Sequence, residues 1–302
     1  MCDGLHKAHH HEHQHQHEVG LEARARPEEF RVVVTGKGGV GKTSLTAMLA
    51  RLLARDSYRV LALDADPQMN LPYALGLPRD RARALVPLSH NSDYVEEKTG
   101  ARPGSGWGLF FRLNPDVDDV VERFGVVAND DVRLLVMGST VQPAAGCLCP
   151  ENSLLAAVAN AVSLRRGEVI LLDTQAGVEH FGRALSQGFR HAVVVTDPTF
   201  NGVQVALHAA GLARELGIPA IHLVVNRVRN EADLERVSEI LAGEPDFPFT
   251  TRHAIPYEEQ VLRHEPDVGT LLNHQGSAFL RAVGELRDAL LHVELERWRR
   301  TS

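Results

Sequence analysis

The stretch Phe30-Arg-Val-Val-Val-Thr35 runs directly into Gly36-Lys37-Gly38-Gly39-Val40-Gly41-Lys42-Thr43, and Leu45 to Ala54 continues with apolar residues at helical spacing. A short apolar run, a glycine-rich turn and a helix in that order leave few architectures open. The run reads as a buried strand, and the glycines as a turn with exposed backbone N–H groups. The helix N-terminus then offers partial positive charge to any anion the turn admits. Further apolar runs at Val60–Leu63, Val132–Met137, Val169–Leu172, Ala192–Thr196 and Ile221–Val225 alternate with helical periodicity at Ser153–Leu164, Val203–Leu216, Ala232–Leu241 and Phe279–Trp298. The alternation predicts an α/β fold, doubly wound, with a mainly parallel sheet and helices on both faces.

Two phosphate-binding motifs overlap in the turn. Gly36, Gly38 and Gly41 satisfy a dinucleotide fingerprint, with Asp64 at a strand end as the ribose acid; Gly36, Gly41, Lys42 and Thr43 satisfy a nucleoside triphosphate loop. Only the second gives Lys42 and Thr43 a purpose: the lysine reaches the β and γ oxygens, and the threonine hydroxyl holds Mg2+. A carboxylate near the γ-phosphate is the next requirement. Val169-Ile-Leu-Leu-Asp173-Thr-Gln-Ala-Gly177 supplies it, with Gly177 free of any side chain that would keep its N–H from the phosphate. The triphosphate reading makes Gly36, Gly38, Gly39, Val40, Gly41, Lys42, Thr43 and Ser44 the cradle. ATP is favoured over GTP, because Val225-Asn226-Arg227-Val228-Arg229 carries arginine where a guanine-reading aspartate would stand.

Lys37, within the form KGGVGKT, resembles the deviant phosphate loop of the partitioning and division-site ATPases, the nitrogenase iron protein and several metallochaperone ATPases. The resemblance implies an ATP-sandwiched homodimer in which Lys37 acts on the partner's nucleotide as a fixed positive charge. Asp64-Ala-Asp66-Pro67-Gln68 is similar to the family's first switch, which implies that Asp66 orients the attacking water and Asp64 serves the Mg2+ shell. Lys37, Lys42 and Asp66 are therefore the catalytic candidates. Asn226, Arg227 and Ile255-Pro256-Tyr257 are implied to flank the adenine.

Gly146-Cys147-Leu148-Cys149-Pro150-Glu151-Asn152 separates the branches of this family. Two thiolates at i and i+2 suit soft or borderline ions, and a pair from each of two chains would complete a four-thiolate site on a dimer axis. Val136-Met137-Gly138, the Cys-x-Cys-Pro-Glu-Asn-Ser-Leu-Leu run and Ala176-Gly177-Val178-Glu179-His180 resemble the CooC-type carbon monoxide dehydrogenase maturation ATPases. Lys98-Thr-Gly100, Leu113-Asn114-Pro115 and Val225 to Asn230 extend the similarity over about residues 30 to 275. The resemblance implies nickel insertion into carbon monoxide dehydrogenase as client, with nickel or zinc at Cys147 and Cys149. Gln68 departs from members that carry an aspartate there. A positioning or partitioning ATPase is the alternative.

Residues 1–29 stand apart. They hold 7 of the chain's 16 histidines, at His6, His9, His10, His11, His13, His15 and His17, and almost no large apolar side chains. Burial cannot offset the entropy of ordering such a segment, so it reads as a disordered tail; its imidazoles suit nickel or zinc. It resembles the histidine-rich extensions of nickel chaperones. Residues 30–302 read as one ATPase domain in which 71–131, rich in proline and glycine with weak periodicity, is an irregular insertion. A net charge of −7 argues against general binding to nucleic acid. Three cysteines do not form a disulfide framework, and no apolar stretch is long enough for a membrane span or a signal core, which points to a cytoplasmic protein without a membrane partner.

Overall fold

A computed structural model describes residues 29–102, 112, 114–138, 149–163, 165–175, 188–243, 247–274 and 276–301. Eight strands make one sheet: β1 (Phe30–Gly36), β2 (Val60–Ala65), β3 (Val126–Val127), β4 (Arg133–Val136), β5 (Val169–Thr174), β6 (His191–Thr196), β7 (Ala220–Val228) and β8 (Thr251–Pro256). Their order is β3-β4-β2-β5-β1-β6-β7-β8, parallel except for the β3–β4 edge pair. The expected doubly wound α/β fold is what forms.

Helices cover both faces because the central strands are apolar on both. On β1, Val33 packs into one core, with Leu63, Leu154, Val158, Val203 and Ala206; Val32 and Val34 pack into the other, with Leu45, Met48, Leu49 and Leu286. This is the period-two alternation of a strand buried on both sides. The first core is covered by α6 (Cys149–Ser163), α7 (Phe200–Glu215) and α8 (Glu231–Ala242), the second by α1 (Lys42–Arg55) and α10 (Ala278–Thr301). The apolar stripe of α10 at Phe279, Val283, Leu286 and Leu290 is buried in that second core. Among the described residues no helix is long and apolar enough to cross a membrane.

Two features differ from expectation. Within 71–131 the described residues include short helices, α2 (Leu71–Ala74), α3 (Arg79–Ala84), α4 (Ser92–Thr99) and α5 (Val120–Phe124), which no periodicity announced. Their periodicity is weak because each spans only one or two turns, yet Leu71, Leu75, Leu88, Tyr94 and Val95 are fully buried. The second feature is strand β8, which no apolar run announced. As an edge strand it alternates half-buried and exposed residues, with Ile255 its one buried position.

Strand β7 departs from regular pairing near its end. Its register against β8 shifts between Val225 and Val228, and Arg227 sits at φ 62. That bulge turns the chain beside Asn226 toward the turn after β1.

Candidate functional site

The carboxyl ends of β1, β2, β5 and β7 converge on the glycine turn, as expected of an open parallel sheet. Gly36 and Gly41 have φ of 135 and 96. A Cβ on Gly36 would collide with the Val195 carbonyl, and one on Gly41 would lie 2.5 Å from Asn226 Nδ2. Both positions therefore require glycine. Gly38 and Gly39 face open space, so their backbone N–H groups are accessible to a ligand.

Lys42, buried at 6% exposure, turns back over the turn. Its ammonium donates to the carbonyls of Gly36 at 3.1 Å and Lys37 at 3.0 Å. Burial lowers its pKa, while Asp173 and Asp66 oppose that shift. Thr43 Oγ1 donates to Asp173 Oδ2 at 2.7 Å, and Thr46 Oγ1 donates to Lys42 O at 2.9 Å. Burial raises the Asp173 carboxyl to about 7 against the opposing influence of the Thr43 hydrogen bond and the Lys42 charge. A divalent cation beside Thr43 and Asp173 would relieve that unfavourable burial of charge, so the donor set suits Mg2+.

Asp64 sits one residue before the end of β2. It is fully buried, and its two oxygens accept the backbone N–H groups of Asp66 at 3.0 Å and Leu71 at 3.1 Å. Burial, then the neighbouring Asp173 charge, pushes its pKa well up. Asp64 thereby anchors the loop after β2. Asp66 is half-buried at the edge of the cleft, and its Oδ1 accepts the N–H of Gln68 at 2.8 Å. Lys37 is half-exposed, and among the described residues its ammonium makes no ion pair.

The turn forms one wall of a cleft of about 720 Å³ that Asp66, Gln68, Asn70, Gln175 and Arg227 also line. Tyr73, Arg79 and Arg83 line it as well. Sequence reading missed these three, because only the return of α2 and α3 across the cleft brings them near. A smaller pocket adjoins it, lined by Gly41, Ser44, Asn226, Arg227, Pro256, Tyr257 and Phe279. Asn226 Nδ2 donates to Val40 O at 2.7 Å, and its Oδ1 accepts the Arg227 N–H at 2.9 Å. The loop, Asn226, Arg227 and Pro256 are thus brought together.

Cys147, Gly177 and the tail histidines His6, His9, His10, His11, His13, His15 and His17 lie outside the described residues. Cys149 opens α6, so the chain at this second cysteine is helical and not extended. Among the described residues no group of three or more His, Cys, Asp or Glu is placed to hold a metal ion.

Residues 31–266 match the CobQ/CobB/MinD/ParA nucleotide binding domain. The chain belongs to that family. It is an ATP-hydrolysing enzyme of this class, with CooC-like character. It is 40% identical over 204 residues to the carbon monoxide dehydrogenase accessory protein CooC of Rhodospirillum rubrum, covering 68% of this chain and 76% of that one. It is 37% identical over 235 residues to the uncharacterized ATP-binding protein MJ0823 of Methanocaldococcus jannaschii, covering 78% and 88%. The fold superposes on the Aquifex aeolicus MinC:MinD cell division complex with a TM-score of 0.58 at 22% identity, covering 87% of this chain and 96% of that chain.

Proposed function

We propose that this member of the family couples ATP hydrolysis and ATP-dependent homodimerisation to delivery of nickel to a client metalloenzyme of the carbon monoxide dehydrogenase type. The observation that carries the reading is a glycine-turn cradle with Lys42, Thr43 and Asp173 in place, in a chain 40% identical over 204 residues to a carbon monoxide dehydrogenase accessory protein. The Cys147/Cys149 pair, whose second member opens α6, supports metal handling.

Each residue's part follows from its position. The backbone N–H groups of Gly38 to Thr43 receive the β- and γ-phosphates. Lys42 exchanges its two carbonyl partners for phosphate oxygens, which offer a stronger charge-assisted bond. Thr43 and Asp173 hold Mg2+, which when bound neutralises phosphate charge. Asp66, held by Asp64 at the cleft edge, orients the attacking water. Asn226, Arg227 and Pro256 border the base. Lys37, with no ion-pair partner among the described residues, is available to a second protomer's nucleotide, where it would stabilise charge developing on the leaving phosphate. Cys147 and Cys149 from two protomers would complete a nickel or zinc site, and the histidine tail would raise the local metal concentration.

The test is light scattering with nickel, zinc and ATP on wild type, on Cys147→Ala/Cys149→Ala, and on a chain lacking residues 1–18. Ligand-driven dimerisation is expected in wild type and in the truncated chain, which loses metal stoichiometry. If the double alanine variant dimerises and binds metal like wild type apart from the tail, the delivery reading fails.

A further inference from the structure

One cluster outside the cleft brings two imidazoles to metal-ligand spacing. His264 closes α9 (Glu259–His264), and His274 follows the 3₁₀ helix Val268–Asn273. Their Nε2 atoms lie 3.2 Å apart, with the rings at 72°. His264 Nδ1 is 2.7 Å from the carbonyl oxygen of Gln260. A carbonyl can only accept, so Nδ1 carries the proton and the neutral ring presents its lone pair at Nε2, toward His274. An imidazole tied to a backbone carbonyl through one nitrogen, with the lone pair of the other directed outward, is how metal-ligating histidines are held.

The spacing fits as well. Two nitrogens about 2.0–2.1 Å from one ion stand about 2.9 Å apart at a right angle and about 3.4 Å apart at the tetrahedral angle. The 3.2 Å separation lies between these limits.

We propose that His264 and His274 form a surface site for a borderline divalent ion such as Zn2+ or Ni2+, separate from the cysteine pair and from the histidine tail. Among the described residues no third protein donor joins them, so water or an exchangeable donor fills the other positions. The ion is therefore held loosely enough to come and go. Its place gives it a structural effect. The site fastens α9 to the 3₁₀ helix across Glu265 and Pro266, which wall the large cleft, while Val261 and Leu262 of α9 line the smaller pocket. Occupancy stiffens that wall.

Peptide-resolved hydrogen exchange on the full chain, with Zn2+ or with chelator, tests the site. With Zn2+ at about ten times its dissociation constant, amides whose exchange needs the site to open should slow about tenfold in peptides spanning residues 259–274. His264→Ala and His274→Ala should each abolish that slowing. Both side chains are at least partly exposed, so the substitutions leave the cores intact, and unchanged exchange elsewhere confirms folding. The tail is identical in all three proteins, so any Zn2+ it takes up drops out of the comparison. A simple N–H···N hydrogen bond between the rings predicts no Zn2+-dependent change at 259–274 in wild type. That result, or protection that survives in both variants, overturns the proposal.

Discussion

Thr43 Oγ1 and Asp173 Oδ2 are 2.7 Å apart, so the first turn of α1 and the acid one residue before the end of β5 already touch. The two are 130 residues apart in sequence, and the parallel pairing of β1 with β5 sets them side by side. The contact gives the site a titratable centre whose behaviour can be measured.

Asp173 should make Mg2+–nucleotide binding depend on pH. Burial raises its pKa to about 7, whereas an unfolded aspartate titrates near about 3.9. From roughly pH 4 to 7 the folded chain holds a proton that the unfolded chain has lost, so this group's contribution to stability falls as pH rises through that window and is level above it. A cation at Thr43 and Asp173 expels the proton. Affinity for Mg2+–ATP should therefore rise with pH up to about 7, with proton uptake by buffer detectable by calorimetry. Asp173→Asn should remove both the pH dependence and the proton release.

Lys42→Ala should weaken ATP binding by about 100-fold, which is about 2.7 kcal/mol. The loss comprises the charge-assisted contact and the support that the ammonium gives to the Gly36 and Lys37 carbonyls. Titration with a fluorescent ATP analogue measures it. Binding within about threefold of wild type would remove Lys42 from the cradle.

Lys37→Ala should bind ATP nearly normally and hydrolyse it about 10²- to 10³-fold more slowly, the range for losing one preorganised charge at a transition state. Steady-state kinetics separates KM from kcat. Equal hydrolysis by the variant would rule out the sandwiched dimer mechanism.

Glu294→Ala should destabilise the fold by about 2–4 kcal/mol, because it leaves buried polar groups without a partner. Glu294 is buried on α10; its Oε1 pairs with His191 Nε2 at 2.9 Å, and His191 Nδ1 meets His222 Nε2 at 3.0 Å. Urea unfolding with far-ultraviolet detection gives the value. A change below about 0.5 kcal/mol would mean that the chain of imidazoles holds together without its acid.

The first strand, turn and helix were legible because the chemistry of phosphate binding is local: Gly36, Gly41, Lys42 and Thr43 sit within eight residues. Asp173 was legible because a strand-end acid followed by glycine has few other uses. Tyr73, Arg79 and Arg83 were not, since short helices carry almost no periodic signal and their relation to the cleft arises only on folding. Strand β8 escaped because an edge strand need not be apolar. The His191–His222–Glu294 chain was hidden for a further reason: its members come from β6, β7 and α10, 31 and 103 residues apart. Asp64 shows the converse. Its resemblance pointed to metal, and the backbone amides that claim it could be seen only in three dimensions.

Asp64 also accepts at its backbone carbonyl, from the N–H groups of Met137 at 2.8 Å and Gly138 at 3.3 Å. One residue thus clamps two strands' exits: its side chain grips the loop that bears Asp66, and its main chain grips the end of β4, from which the sequence runs on toward Cys147. The four bonds tie the loop after β2 to the chain leaving β4 through a single buried residue. The loop that bears Asp66 and the segment that runs on toward Cys147 thus share one anchoring residue.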